Sequence, residues 1–204
     1  MSWIGAAARY PKYRARKGGI ETMEQRVNEC ITRSLAGRAL DEQSMAMQDI
    51  VGYLESLRDE PPPERPDTVR LAGDTLRGRR LYRSQCARCH AADGGGNLAP
   101  AVYGARSYSI GAGMARQYVL ATFLRWNMPY DMAGTLPAQD AADIAAWLLR
   151  RPRPDHPGKE RDWPNGDPPA DAAYPTDGAR QRGVPLPASR PLLRRVILPN
   201  PPAP

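Results

Sequence analysis

The stretch Cys86-Ala87-Arg88-Cys89-His90 decides how the rest of the chain is read. It is C-x-x-C-H, the attachment sequence for c-type haem. Two thiols at this spacing can each add to a haem vinyl group, and the adjoining imidazole then lies under the iron as its proximal ligand. The same C-x-x-C could be half of a zinc site, but no second half-site exists in the chain.

Outward from the motif, the order of elements is that of a small class I cytochrome c. Upstream, Asp74 can cap a helix carrying Leu76, Gly78, Leu81 and Tyr82 that runs into the motif. Downstream comes the loop Asp93-Gly94-Gly95-Gly96, then residues 100–104, whose Pro100 carbonyl could accept the imidazole N–H. A further helix is expected over about 114–125, followed by Asn127-Met128-Pro129. Pro137 opens the last helix at its first turn, with Ala141, Ile144, Ala145 and Leu148 on one face. Gly78 would let that helix approach closely, where Trp147 offers an aromatic surface.

The iron of such a domain takes a distal ligand or stays open, and a thioether sulfur is a common choice. Met128 lies between the third and last helices and is the first choice; Met132 and Met114 are the others. Met23, Met45 and Met47 read as core filler. His156 sits among prolines and reads as a surface residue. Asn127 is not a haem ligand type and no ligand-switching lysine adjoins Met128, so stable His/Met coordination is expected.

The N-terminal half carries two more helices. Residues 1–20 read as basic and irregular. Thr22-Met23-Glu24-Gln25 fits a capping box, and Met23, Val27, Ile31 and Leu35 make an apolar stripe ending at Gly37, a plausible C-cap. Ser44 can cap a second helix with Met47, Ile50, Val51, Leu54 and Leu57. Residues 58–67, RDEPPPERPD, make a stiff linker. Fourteen of the 22 prolines follow Arg151, so an extended segment is expected to wrap the domain as far as Tyr174, held by Trp163 and Tyr174, with a mobile tail beyond. The reading is therefore all-α, divided as 1–57, linker 58–67, cytochrome domain 68–151 and Pro-rich extension 152–204.

Composition narrows the function. Hydrophobic residues make up 41% and charged residues 25%, as in soluble proteins. The net charge of +7 comes from scattered arginines, a basic surface rather than a nucleic-acid stripe. No membrane-spanning run exists. Haem would consume Cys86 and Cys89, leaving Cys30 alone. Covalent haem attachment implies export, in bacteria to the periplasm, yet no signal peptide is visible, and a late chain start is the expected reason. Arg26, Cys30 and Ser34, spaced i, i+4, i+8, line one helix face. A thiolate beside guanidinium groups is stabilised, and guanidinium groups suit a small dianion. The plainer alternative is an arginine-rich solvated face with a buried cysteine.

Several stretches together resemble a known family. Tyr10-Pro-Lys-Tyr-Arg-Ala-Arg16, Glu21 through Cys30 and Arg33-Ser34 look like the N-terminal domain of thiosulfate dehydrogenase, a dihaem cytochrome related to the SoxA sulfur-oxidation cytochromes. Gly111-Ala-Gly-Met114, Asn127-Met128-Pro129 and Asp162-Trp163-Pro164 fit that family's second haem domain. The resemblance implies that Cys30 is the distal ligand of a first, catalytic haem iron, with Arg16, Arg26 and Ser34 around it. It implies that two thiosulfate ions join as tetrathionate, with electrons passing to the haem on Cys86, Cys89 and His90 and then to an acceptor cytochrome or other redox protein. The family's first C-x-x-C-H lies upstream of the segment matching Trp3, so a truncated start or loss of the first haem is expected. Rival expectations are a mono-haem electron-carrier subunit of another dehydrogenase, and a SoxA-like sulfur-carrier partner.

Overall fold

Helix α1 (Met23–Arg33) starts at a complete capping box: the Thr22 hydroxyl accepts the Gln25 N–H, and the Gln25 side chain accepts the Thr22 N–H. The computed structural model describes residues 3–59, 67–185 and 192–193. Residues 60–66 of the expected linker, and 186–191 and 194–204 of the tail, lie outside the described residues.

Helix α2 (Met45–Ser56) is capped by the Ser44 hydroxyl. Met23 and Val27 of α1 meet Met47 and Leu54 of α2, with Ala6 and Ala7, in a small apolar core. The stripe differs from expectation at its ends. Leu35 is exposed because α1 stops at Arg33. The left-handed residue at that end is Ala36, while Gly37 is needed for space: a Cβ there would lie 2.8 Å from Ile31 Cγ2. Met45 is 79% exposed, not core filler, because it occupies the first position of α2 on the outer side. Residues 3–20 hold more order than expected. Strands β1 (Lys12–Arg14) and β2 (Gly19–Glu21) form an antiparallel hairpin with Tyr13 opposite Ile20.

The second half packs helix α3 (Thr75–Gln85), the single turn α4 (Ala87–His90), α5 (Gln117–Asn127) and α6 (Ala138–Leu149). Asp74 caps α3 as expected, while α5 starts three residues later than expected, after a 3-10 turn at Gly113–Ala115. Helices α3 and α6 cross at glycines. A Cβ on Gly78 would fall 2.0 Å from the Asp143 carbonyl oxygen, and one on Gly73 2.2 Å from that of Ala142. The crossing is fastened by the buried Asp143 carboxylate, which accepts from the Asp74 N–H (2.8 Å), Gln139 (2.8 Å) and Arg77. Tyr82 of α3 lies 4.6 Å, centroid to centroid, from Trp147 of α6.

The C-terminal extension stitches the two halves together. Strand β3 (Arg153–Pro154) pairs in parallel with β4 (Leu192–Leu193). Trp163 and Tyr174 lie 5.9 Å apart, centroid to centroid, with their rings tilted by 38°, and pack with Ile110, Ala115 and Ala173, the anchoring expected of them. Just past Tyr174 the chain is folded rather than loose: Thr176 is fully buried and caps helix α7 (Asp177–Gln181). Across the seam, the Trp163 N–H reaches the Arg16 carbonyl (2.8 Å) and the Ser109 N–H the Arg33 carbonyl (2.9 Å).

Candidate functional site

A cavity of about 440 Å³ opens at the end of α3. Cys86, Cys89 and His90 line it from α4, where the motif makes one helical turn and so presents both thiols and the imidazole to the same space. Leu124 of α5, Leu148 of α6, Val102 and Tyr82 supply apolar wall, and Met128 lies just past the last turn of α5. Met132 and Met114 are not in this lining among the described residues; Met132 is 53% exposed and Met114 packs on the outer core.

The imidazole is held by its far nitrogen. His90 Nδ1 lies 2.7 Å from the Pro100 carbonyl oxygen, which makes Nδ1 the protonated nitrogen and leaves Nε2 a lone pair for a metal. The turn after it is fixed by the Tyr82 hydroxyl donating to the Ala91 carbonyl at 2.7 Å. Burial pushes the Cys86 thiol up to about 11, so it is neutral at pH 7. Cys86 and Cys89 are both free thiols. Two free thiols, an imidazole with one committed nitrogen, a thioether and an apolar wall are the donor set of a c-type haem, and the cavity fits that group. At its rim the exposed ion pair Arg88–Asp131 (2.6 Å) joins the motif to the loop after Met128, a link with no local signal in the sequence.

The first half has two separate hollows. One, about 510 Å³ and almost wholly apolar, is lined by Trp3, Val27, Ile31, Ile50 and Tyr53, with Cys30 and Arg26 among its walls. Burial raises the Cys30 thiol above the ordinary value, while Arg26 and Arg14 pull the other way and only partly offset it. The nearby guanidinium groups do not by themselves make Cys30 a thiolate; a bound metal would. The walls of this hollow offer the Cys30 sulfur to a metal but hold neither a pair of thiols nor an imidazole.

The other hollow, about 340 Å³, is polar and borders α1 at Glu29 and Arg33, with Arg16, Asp162 and His156 also in its walls. The four residues grouped by the sequence are thus divided. Arg26 and Cys30 share the apolar hollow, whereas Arg16 lines the polar one. Arg16 donates to the Gly111 carbonyl (2.7 Å), approaches Asp162 (3.9 Å) and lies over the Trp163 ring (4.8 Å). Ser34 ends α1, its N–H bonded to the Cys30 carbonyl. His156 is half-buried against Gly111 rather than a surface residue, because β3 turns it inward.

Arg33 is the residue this neighbourhood turns on, and sequence reading quoted it for the family resemblance without giving it a role. Its two terminal nitrogens each meet one Asp162 oxygen at 2.9 Å, and Tyr174 donates to the same carboxylate. The available signal was Asp162-Trp163-Pro164, an acid beside a tryptophan in a segment otherwise made of turns.

Fold and cavity define a c-type cytochrome with a second helical domain in front. Residues 2–61 match the family model "SoxA/TsdA, cytochrome c domain", and residues 73–148 match "Cytochrome C oxidase, cbb3-type, subunit III". The chain is 39% identical over 184 residues to a thiosulfate dehydrogenase of Psychrobacter arcticus, covering 83% of this chain and 56% of that protein. It is 36% identical over 167 residues to one of Allochromatium vinosum, covering 74% and 62%. Among solved structures, the thiosulfate dehydrogenase TsdBA of Marichromatium purpuratum superposes with a TM-score of 0.68 at 29% identity, over 76% of this chain and 38% of that one. The chain belongs to the thiosulfate dehydrogenase family, and it spans about half the length of the curated relatives it matches.

Proposed function

We propose that the α3–α6 cavity holds a covalent haem, with Cys86 and Cys89 as its thioether donors, His90 as proximal and Met128 as distal ligand. The observation that carries this is the His90 Nδ1–Pro100 hydrogen bond, which commits one ring nitrogen and leaves the other for iron. Bound there, the haem supplies one-electron redox chemistry. The chain's own part is to exclude water with Leu124, Leu148 and Val102 and to fix both ligands.

By its family, the reaction is the joining of two thiosulfate ions. One S–S bond forms between the two terminal sulfurs, giving tetrathionate, and two electrons are released. The haem that Cys86, Cys89, His90 and Met128 would hold would supply the one-electron chemistry that passes them to an acceptor redox protein. Cys30 serves the substrate end as an iron ligand in the apolar hollow, beside Arg26, whose guanidinium suits a divalent oxyanion. Arg16, in the polar hollow, and Ser34, at the end of α1, take part from outside the apolar hollow. The protein works in the periplasm; no helix among the described residues is long and apolar enough to cross a membrane.

The test uses protein purified from its native host with haem counted by intact mass. Thiosulfate should reduce the haem without any partner protein. Cys30→Ala should lose that reduction while dithionite still reduces the haem. Undiminished thiosulfate turnover in Cys30→Ala would remove Cys30 from the reaction, and no reduction of the wild-type protein would leave an electron carrier.

A further inference from the structure

The segment between α5 and α6, residues 128–137, carries Met128 at its start. Apolar packing does little to hold it. None of residues 129–135 is buried, and the next buried side chain is Leu136. Within the segment, the Met132 N–H donates to the Pro129 carbonyl (2.9 Å) and the Thr135 hydroxyl to the Met132 carbonyl (2.7 Å). Those bonds shape the segment without attaching it to either helix.

The attachment comes from Arg125, in the last turn of α5. A basic residue there ordinarily serves the carbonyls that end its own helix. This one reaches across: Nη1 donates to the Gly134 carbonyl (3.0 Å) and to the Leu136 carbonyl. The guanidinium also lies over the Trp126 ring, 5.0 Å from its centroid. The same turn presents Met128, whose N–H bonds to the Leu124 carbonyl (3.0 Å), so one helix end grips both ends of the segment. Its partners are main-chain carbonyls, and hydrogen bonds from a charged donor are the stronger kind. The other tie, Arg88–Asp131, is exposed on both sides, and such pairs hold weakly in salt.

We infer that Arg125 is the positioning residue for the distal ligand: by bonding the Gly134 and Leu136 carbonyls it keeps Met128 in the wall of the cavity that His90 also lines. The inference rests on the haem and Met128 reading given above. A thioether is a neutral ligand on a flexible side chain, so its hold on iron depends on where its backbone is kept.

The test uses ferric holoprotein whose covalent haem has been verified by intact mass. Cyanide reaches the iron once the distal ligand leaves, so its binding rate at saturating concentration reads Met128 release. Arg125→Gln should raise that rate by about tenfold or more, the usual effect of losing a group that orients a ligand. Arg125→Lys, which keeps a charged donor, should fall between Arg125→Gln and wild type. Asp131→Asn should raise the rate less than Arg125→Gln, and Arg150→Gln, a surface change, should leave it alone. A wild-type rate in Arg125→Gln together with a lower urea midpoint makes Arg125 a purely structural brace and overturns the proposal. A larger effect in Asp131→Asn than in Arg125→Gln assigns the role to the rim pair and overturns it too. If Arg125→Gln does not accumulate with haem, Arg125→Lys decides by the same rate. Wild-type protein without covalent haem, or without the methionine–iron charge-transfer band, overturns the haem or Met128 reading itself and this role with it.

Discussion

Gly78 of α3 lies directly against the backbone of Asp143 in α6, so close that a Cβ would stand 2.0 Å from the Asp143 carbonyl oxygen. The obstacle is main chain in the middle of a helix, not the end of a flexible side chain, so nothing nearby can swing aside. Gly78→Ala should force the helices apart despite alanine's better helix propensity. Overpacking of this kind costs about 1–3 kcal/mol, outweighing the roughly 0.5–1 kcal/mol gained from propensity. A urea titration should show a lower midpoint, and His90 should bind haem less tightly because α3 leads straight into its turn.

The carboxylate of Asp143 gives the fold a dependence on acid. Burial opposes its ionisation, but the Asp74 N–H, Arg77 and Gln139 prevail, and its pKa lies below the usual carboxylate range. A depressed folded pKa contributes stability that is full above the unfolded value, about 4, and is lost as pH falls through the folded one. Asp143→Asn should be less stable at pH 7 and lose less on acidification. Thermal midpoints measured from pH 7 to pH 2 test this, and parallel curves for the two proteins would contradict it.

The pair Arg33–Asp162 is the polar rivet between the halves. Both side chains are buried, and each guanidinium terminus meets one carboxylate oxygen at 2.9 Å. Removing one partner strands the other, which costs about 3–5 kcal/mol. Asp162→Ala should therefore speed amide hydrogen exchange in α1 and the β1–β2 hairpin far more than in α6. Equal acceleration everywhere would mean that the pair supports the whole fold rather than the seam.

Met128 lines the cavity while Met132 is exposed, so the two methionines should behave differently on replacement. Met128→Ala should abolish the weak methionine–iron charge-transfer band of the oxidised protein and lower its potential. Met132→Ala should keep both. Loss of the band in Met132→Ala would assign the distal position to Met132.

Some of this architecture was legible residue by residue. The Thr22, Ser44 and Asp74 caps, Gly78, the Pro100 carbonyl and the Trp163–Tyr174 anchor are local signals, because a hydroxyl before a helix or a glycine on an apolar face has few other uses. Met45 misled because amphipathic spacing does not say where a helix begins against its core. The end of α1 misled because Ala36 takes the left-handed conformation usually given to glycine.

The sequence by itself determined the haem turn, its helices and their order, since C-x-x-C-H and helix caps act over four or five residues. Tertiary structure alone decided that Arg16 lies apart from Cys30 and Arg26, that Arg33 pairs with a carboxylate 129 residues away, and that Arg153 is fully buried, its guanidinium over the Tyr108 ring. The reason is physical. Burial and pairing of a charge depend on which distant segment covers it, and here that segment is a proline-rich extension whose own residues carry no periodic signal.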